Sequence, residues 1–196
     1  MMSDTGVVPR PIAREATRHT LTVDELADME AKGAFKGVRT QLLDGEIHIM
    51  PQDGLPHINY AMRIARALMK GLPEEAYFVG VQTTLHLSRY NAPSPDVYVL
   101  TAGPLVKETP AERMLLVVEV ADTSIRDDLT DSASRYARHG VAEFWVVDVN
   151  ARVTHVHRAP KDGAYPPPTS VAFEDLLSCV GIGEMTLRLA DFDPVE

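Results

Sequence analysis

The apolar run Met114-Leu115-Leu116-Val117-Val118, closed by Glu119, constrains the fold of this chain more than any other stretch. It reads as a core strand with an acidic residue near its end. A second strand-like run, Pro95 to Leu100, opens on the pair Pro95-Asp96. Two carboxylates on short strands that a sheet brings side by side can hold a divalent cation against a phosphate, which points to phosphodiester chemistry. Two residues beyond Glu119, on the same strand face, stands Ala121, where a lysine would complete such a constellation.

The remaining pattern places that strand in a sheet with helices around it. Thr22 followed by Glu25 is a capping box, with Leu21 and Leu26 as its staple, and opens a helix expected to reach about Met29 and stop by Gly33. Thr40 to Met50 reads as a hairpin turning at Asp44-Gly45. From His57 to Lys70, Ile58, Ala61, Met62, Ala65, Leu68 and Met69 recur at helical spacing, with Arg63, Arg66 and Lys70 opposite as a solvated face. Strand-like runs follow at Tyr77 to Leu87, Pro95 to Leu100 and Arg113 to Val120. Asp127 to His139 reads as a helix, Glu143 to Asp148 and Arg152 to His157 as a hairpin, Phe173 to Cys179 as a short helix and Met185 to Leu189 as a last strand. The expected architecture is α/β, one domain with a mixed central sheet flanked by helices over residues 20 to 196, preceded by a flexible arm over residues 1 to 19.

Composition limits the function. At 196 residues the chain can bury a continuous core without disulfides, and no apolar run reaches the length of a membrane span. The arginines Arg10, Arg14 and Arg18 among prolines lack the apolar core of a secretory signal, so a cytoplasmic location is expected. The single cysteine, Cys179, reads as a small buried hydrophobe. A net charge of -9 argues against a protein that coats nucleic acid nonspecifically, while leaving room for a local basic groove near Arg126, Arg135 and Arg138.

The longer pattern Glu119-Val120-Ala121-Asp122-Thr123-Ser124-Ile125, Asp128, Tyr136-Ala137, Gly140-Val141, Glu143 and Trp145-Val146-Val147-Asp148 resembles the bacterial restriction-endonuclease family often called Uma-two, a branch of the PD-(D/E)XK nuclease superfamily. Leu42-Leu43-Asp44-Gly45-Glu46, His57 and Pro95-Asp96-Val97 match the family's upstream motifs in order, so the likeness spans roughly residues 20 to 190. The resemblance implies a restriction-endonuclease-like fold, DNA as substrate, Mg²⁺ or Mn²⁺ on Asp96 and Glu119, and a homodimer. It further implies an upstream acid at the position of Gln41 and a catalytic lysine at the position of Ser132. Both are departures. Glutamine offers a neutral carbonyl and serine no positive charge, and a missing preorganised stabiliser costs roughly a hundredfold to a thousandfold in rate.

His57, Arg135 and Arg138 are expected substrate contacts: His57 because it opens a helix, the arginines because they lie about one turn beyond Ser132. His155 and His157 flank Val156 on a presumed strand and are expected on an exposed hairpin face. Asp122 and Asp128 bracket Thr123-Ser124 and are expected to cap the helix that carries Ser132, and Trp145 is expected in the core. The leading reading is a metal-dependent endonuclease with impaired chemistry. The alternatives are a noncatalytic nuclease-fold module that binds DNA or a protein, and a scaffold protein with a large exposed apolar patch.

Overall fold

The computed structural model describes residues 18–104, 106–122, 125–183 and 185–193. Most of the arm assigned to residues 1 to 19 lies outside them, as do Thr123 and Ser124. In chain order the elements are α1 (Val23–Ala31), β1 (Arg39–Leu43), β2 (Glu46–Met50), α2 (Leu55–Gly71), β3 (Tyr77–Val81), β4 (Val97–Thr101) and β5 (Met114–Ala121). There follow α3 (Ile125–Asp127), a π-helical turn (Asp128–Ser132), α4 (Ala133–Arg138), β6 (Glu143–Asp148), β7 (Val153–Arg158), β8 (Thr169–Ala172), β9 (Leu177–Ser178) and β10 (Thr186–Leu187).

Six strands form one mixed sheet in the order β3-β4-β5-β6-β7-β8. Every neighbouring pair is antiparallel except β5 and β6, which are joined through the helical run 125–138 and therefore lie parallel. The apolar run that constrained the sequence is the centre of this sheet. Alternate residues of β5 serve opposite faces, so Leu116, Val118 and Val120 pack with Trp145, Val147 and the α2 residues Ile64 and Leu68 on one side. Val117 and Ala121 pack with Phe144, Val146 and the α4 residue Tyr136 on the other. A helix on each face leaves β5 dry on both sides, and that is why its sequence is continuously apolar rather than alternating.

A small third cluster fastens the hairpin to this body. Leu26, Leu42 and Ala92 are buried together, with Leu21 beside them as the staple at the start of α1. The capping box forms, Glu25 N–H donating to Thr22 Oγ1 at 3.2 Å and Thr22 N–H to Glu25 Oε2 at 2.8 Å. At the hairpin turn Asp44 and Gly45 have φ of 50° and 78°, and a Cβ on residue 45 would lie 2.1 Å from Thr20 Cγ2. Both the backbone and the close approach require glycine there.

Several expectations need correction. The buried stripe of α2 is His57, Tyr60, Ala61, Ile64, Ala65 and Leu68, whereas Ile58, Met62 and Met69 are exposed. The helix is apolar around more than half its circumference, so periodicity alone chose the wrong edge of the stripe. The strand expected to reach Leu87 ends at Val81, because Gln82 adopts φ of 46° and turns its N–H to Asp96 O. The segment 173–179 is not a helix; it contains β9, paired with β10, and the chain before it forms β8 at the sheet edge. The helix expected over 127–139 is interrupted by the π turn, and Asp128 lies inside that turn, buried, rather than capping it. His157 is buried, stacked on Phe144 with centroids 5.6 Å apart, and only His155 stays at the partly exposed edge. Trp145 and Cys179 are core, and burial pushes the Cys179 thiol up to about 12. Among the described residues no helix is long and apolar enough to cross a membrane.

Candidate active site

Asp96 and Glu119 are brought together by strand register. Val97 pairs with Val118 across β4 and β5, so the residue before Val97 meets the residue after Val118. The contact is made by backbone as well as side chains. Asp96 N–H donates to Glu119 Oε2 at 3.3 Å, and Val120 N–H donates to Asp96 Oδ2 at 2.8 Å. Each carboxylate is thus held by the main chain of the other's segment, which fixes both without any cation present.

Further side chains converge on the pair. His57, in the first turn of α2, places Nε2 2.8 Å from Asp96 Oδ2. Its Nδ1 is 3.7 Å from Asp53 Oδ1 and has no hydrogen-bond partner among the described residues. Burial alone would lower the His57 pKa, but the hydrogen bond to Asp96 and the charges of Asp96, Asp53 and Asp122 outweigh it and raise it. From α4, Tyr136 OH donates to Glu119 Oε1 at 2.7 Å. Burial, then the charges of Asp96 and Asp128, push the Glu119 carboxyl well above its usual range, and the hydrogen bonds from Tyr136 and Asp96 N–H only partly offset this.

The two departures from the family pattern have local employment. Gln41 Oε1 accepts from Ser94 N–H at 3.1 Å, tying β1 to the loop that presents Asp96. Ser132 Oγ donates to Asp128 Oδ1 at 3.3 Å, on the π turn beside Glu119. Arg135 and Arg138 lie against the hairpin turn. Arg138 reaches the Asp44 carboxylate at 3.1 Å and the buried Arg135 approaches it at 3.7 Å. The structure therefore links His57, Asp96 and Glu119 in one chain of contacts, ties Gln41 to Ser94 and Ser132 to Asp128, and holds the two arginines on Asp44.

Tyr136 and Asp53 were not legible as site residues. For Tyr136 a signal existed: Asp128, Ser132 and Tyr136 recur every four residues, the spacing of one helix face. A π turn is rare and recurs at functional sites, and this one carries Asp128, whose charge acts on Glu119.

The donor set suits a hard divalent cation. Asp96 and Glu119 supply oxygens; burial first, then the charges of Asp96 and Asp128, raise the Glu119 pKa, and a cation between the two carboxylates would relieve the repulsive part. Among the described residues no group of three or more His, Cys, Asp or Glu side chains is arranged to hold a metal, so such an ion would complete its shell with water and phosphate oxygens, as Mg²⁺ ordinarily does.

Comparison with known proteins agrees with this architecture. A solved structure described as a "putative nuclease belonging to DUF820", from Anabaena variabilis, superposes with a TM-score of 0.69 at 14% identity, over 88% of this chain and 97% of that one. At that identity the likeness shows the fold. No curated protein matches the chain. The model of the family Uma2, described as "Putative restriction endonuclease", matches residues 23–190, and by that match this chain belongs to the Uma2 family.

Proposed function

We propose that this protein is a divalent-metal-dependent DNA endonuclease whose chemistry is slowed by the loss of a lysine at Ser132 and an acid at Gln41. One observation carries the reading: Asp96 and Glu119 are locked side by side by reciprocal backbone contacts in a setting where the charges acting on Glu119 are negative. Asp96 and Glu119 would hold Mg²⁺ or Mn²⁺, and such an ion polarises a phosphodiester and makes water a better nucleophile.

The chain's own residues set up the rest. Tyr136 and the Asp96 N–H aim the two Glu119 oxygens, and Val120 N–H and His57 hold Asp96 Oδ2. Gln41, through Ser94, fixes the segment leading to Asp96 but brings no charge. Ser132 lies on the face of the π turn from which a lysine would add positive charge, and its hydroxyl is bonded to Asp128 instead. Arg135 and Arg138 would have to leave Asp44 to reach a phosphate.

The test is cleavage of supercoiled plasmid with Mg²⁺ or Mn²⁺. The natural protein is expected to nick slowly, Asp96→Ala to lose activity, and Ser132→Lys to gain roughly tenfold to a hundredfold. A second reading rests on the hydrogen bonds that occupy Gln41 and Ser132: a nuclease scaffold that binds DNA without cutting it. It predicts DNA binding by the natural protein and nicking only in Ser132→Lys.

A further inference from the structure

On the sheet face that carries Glu119, a cavity of about 740 Å³ opens between β3, β4, the start of α1 and the segment around Lys107. We propose that it receives an unpaired nucleobase of the strand being cut, an inference that rests on the nuclease reading above. The volume lies within the range of roughly 300–1,000 Å³ typical of small-ligand sites.

Its wall is aromatic and fixed. Phe78 from β3 and Tyr98 from β4 stand with ring centroids 6.1 Å apart, tilted 46°. Gly80 pairs with Tyr98 across the strands, and a Cβ at residue 80 would lie 2.1 Å from the Tyr98 ring. The ring therefore lies over β3 because position 80 is glycine. Its hydroxyl is anchored 3.1 Å from Thr83 Oγ1, while Phe78 is left 41% exposed. The buried Tyr98 ring, 4% exposed, backs Phe78, and the exposed face of Phe78 is a stacking surface that any base can use, since every base has a π face.

Polar groups around this wall suit a nucleotide better than a purely apolar guest. His86 lines the cavity with a buried Nδ1 that has no hydrogen-bond partner among the described residues, a group able to meet a base edge. At the mouth Arg89 and Lys107 are exposed, Lys107 held 3.0 Å from Asp24. The lining sets Arg89, Lys107 and Arg113 against Asp24 and Glu108, a small positive excess on a chain of net charge -9 that suits a polyanion.

Neither Asp96 nor Glu119 lines the cavity, but its wall approaches them along β4 and through the loop after β3, where Gln82, next to the lining Thr83, donates its N–H to Asp96 O. Tyr98 is two residues past Asp96 and belongs to the same packed cluster as Tyr136, the residue that donates to Glu119. A strand whose phosphate rests on Asp96 and Glu119 thus has the cavity within reach of a neighbouring base. Entry requires that base to be unpaired, because a duplex hides its faces in the stack. The proposal therefore selects single-stranded or opened DNA.

The experiment uses the full chain in EDTA, where no cutting occurs, and a single-stranded oligodeoxynucleotide containing 2-aminopurine, whose fluorescence falls on stacking. Two variants alter the cavity without touching the carboxylates: Phe78→Ala removes the exposed stacking face, and Ala27→Trp fills the mouth from an exposed position on α1. The natural protein is expected to quench the probe, and each variant to raise Kd about tenfold with an unchanged melting temperature. Absence of quenching, or equal Kd in all three proteins, overturns the proposal. Plasmid nicking in Mg²⁺ with an unquenched probe leaves the nuclease reading standing and removes the base pocket. Quenching that depends on Phe78, with no nicking by any variant, keeps the pocket and removes the chemistry.

Discussion

Two glutamates on adjacent parallel strands show opposite ways of placing a carboxylate inside this protein. Glu143, at the start of β6, is 1% exposed and every contact it makes is compensating. Its Oε1 accepts from Trp145 Nε1 at 2.5 Å and meets the Arg158 guanidinium at 3.0 Å, and its Oε2 accepts from Val180 N–H at 2.9 Å. Glu119, near the end of β5, also accepts two hydrogen bonds, yet the charges that act on it belong to Asp96 and Asp128. Glu143 is a finished structural joint that ties β6, β7 and the 180 segment together. Glu119 is held in place among like charges, the setting that the proposed cation would relieve.

The largest effect expected from this contrast is on stability. Glu143→Ala leaves the buried indole N–H and a backbone N–H without their acceptor and takes the carboxylate from the part-exposed Arg158, which keeps Ser178 O, and should cost about 2–4 kcal/mol in urea denaturation. Glu119→Gln, tested in EDTA at neutral pH, should gain on the order of 1–2 kcal/mol because it removes a charge that burial and then its acidic neighbours oppose. Equal losses in both variants would mean that the two glutamates do the same structural work.

The sign of the pH dependence separates them further. Glu119 has a folded pKa raised above its unfolded value of 4.5, so the folded state binds the extra proton and the stabilising contribution is present below that value. It is lost as pH rises through the folded pKa. In EDTA the natural protein should therefore lose stability over that interval relative to Glu119→Gln, by on the order of 1–2 kcal/mol. Mg²⁺ should restore stability to the natural protein and leave Glu119→Gln unmoved, since only a ligand that binds the folded state shifts the equilibrium. A Mg²⁺ response of the same size in both proteins would place the ion elsewhere.

The sequence made the sheet legible where one residue had one role. The continuous apolar run of β5 could only be a covered strand, and Asp44-Gly45 could only be a tight turn. Asp96 and Glu119 stood out because acids are rare at the edge of such runs. What stayed hidden depended on partners far along the chain. Gln41 reads as a neutral substitute for an acid, and only the fold reveals that it grips Ser94. Arg135 and Arg138 follow Ser132 closely enough to suggest phosphate contacts, yet Asp44, 94 residues before Arg138, holds them. The π turn was illegible for a different reason: one extra residue per turn leaves the apolar spacing of Leu129, Ala133 and Tyr136 almost unchanged while it moves Asp128 inward beside Glu119.

His157 offers the smallest test, on the same sheet face as Glu119. It is buried between Phe144 and Tyr165, and neither ring nitrogen has a hydrogen-bond partner among the described residues. Burial, with a minor contribution from His155, lowers its pKa below the usual 6.5. The unfolded chain then binds the proton more readily, so stability falls as pH drops below 6.5 toward the folded pKa. Nothing compensates the imidazole as Arg158 compensates Glu143, and nothing in the candidate site uses it. His157→Phe keeps the stacked shape and deletes two unsatisfied polar atoms, which should leave stability unchanged or raise it by about 1 kcal/mol at pH 7. The variant should also lose part of the natural protein's decline between pH 6.5 and 5, read by thermal unfolding across that interval. A loss of several kcal/mol in His157→Phe would instead mean that the imidazole makes a polar contact as necessary as those of Glu143, and that this face tolerates no uncompensated polar group outside the carboxylate pair.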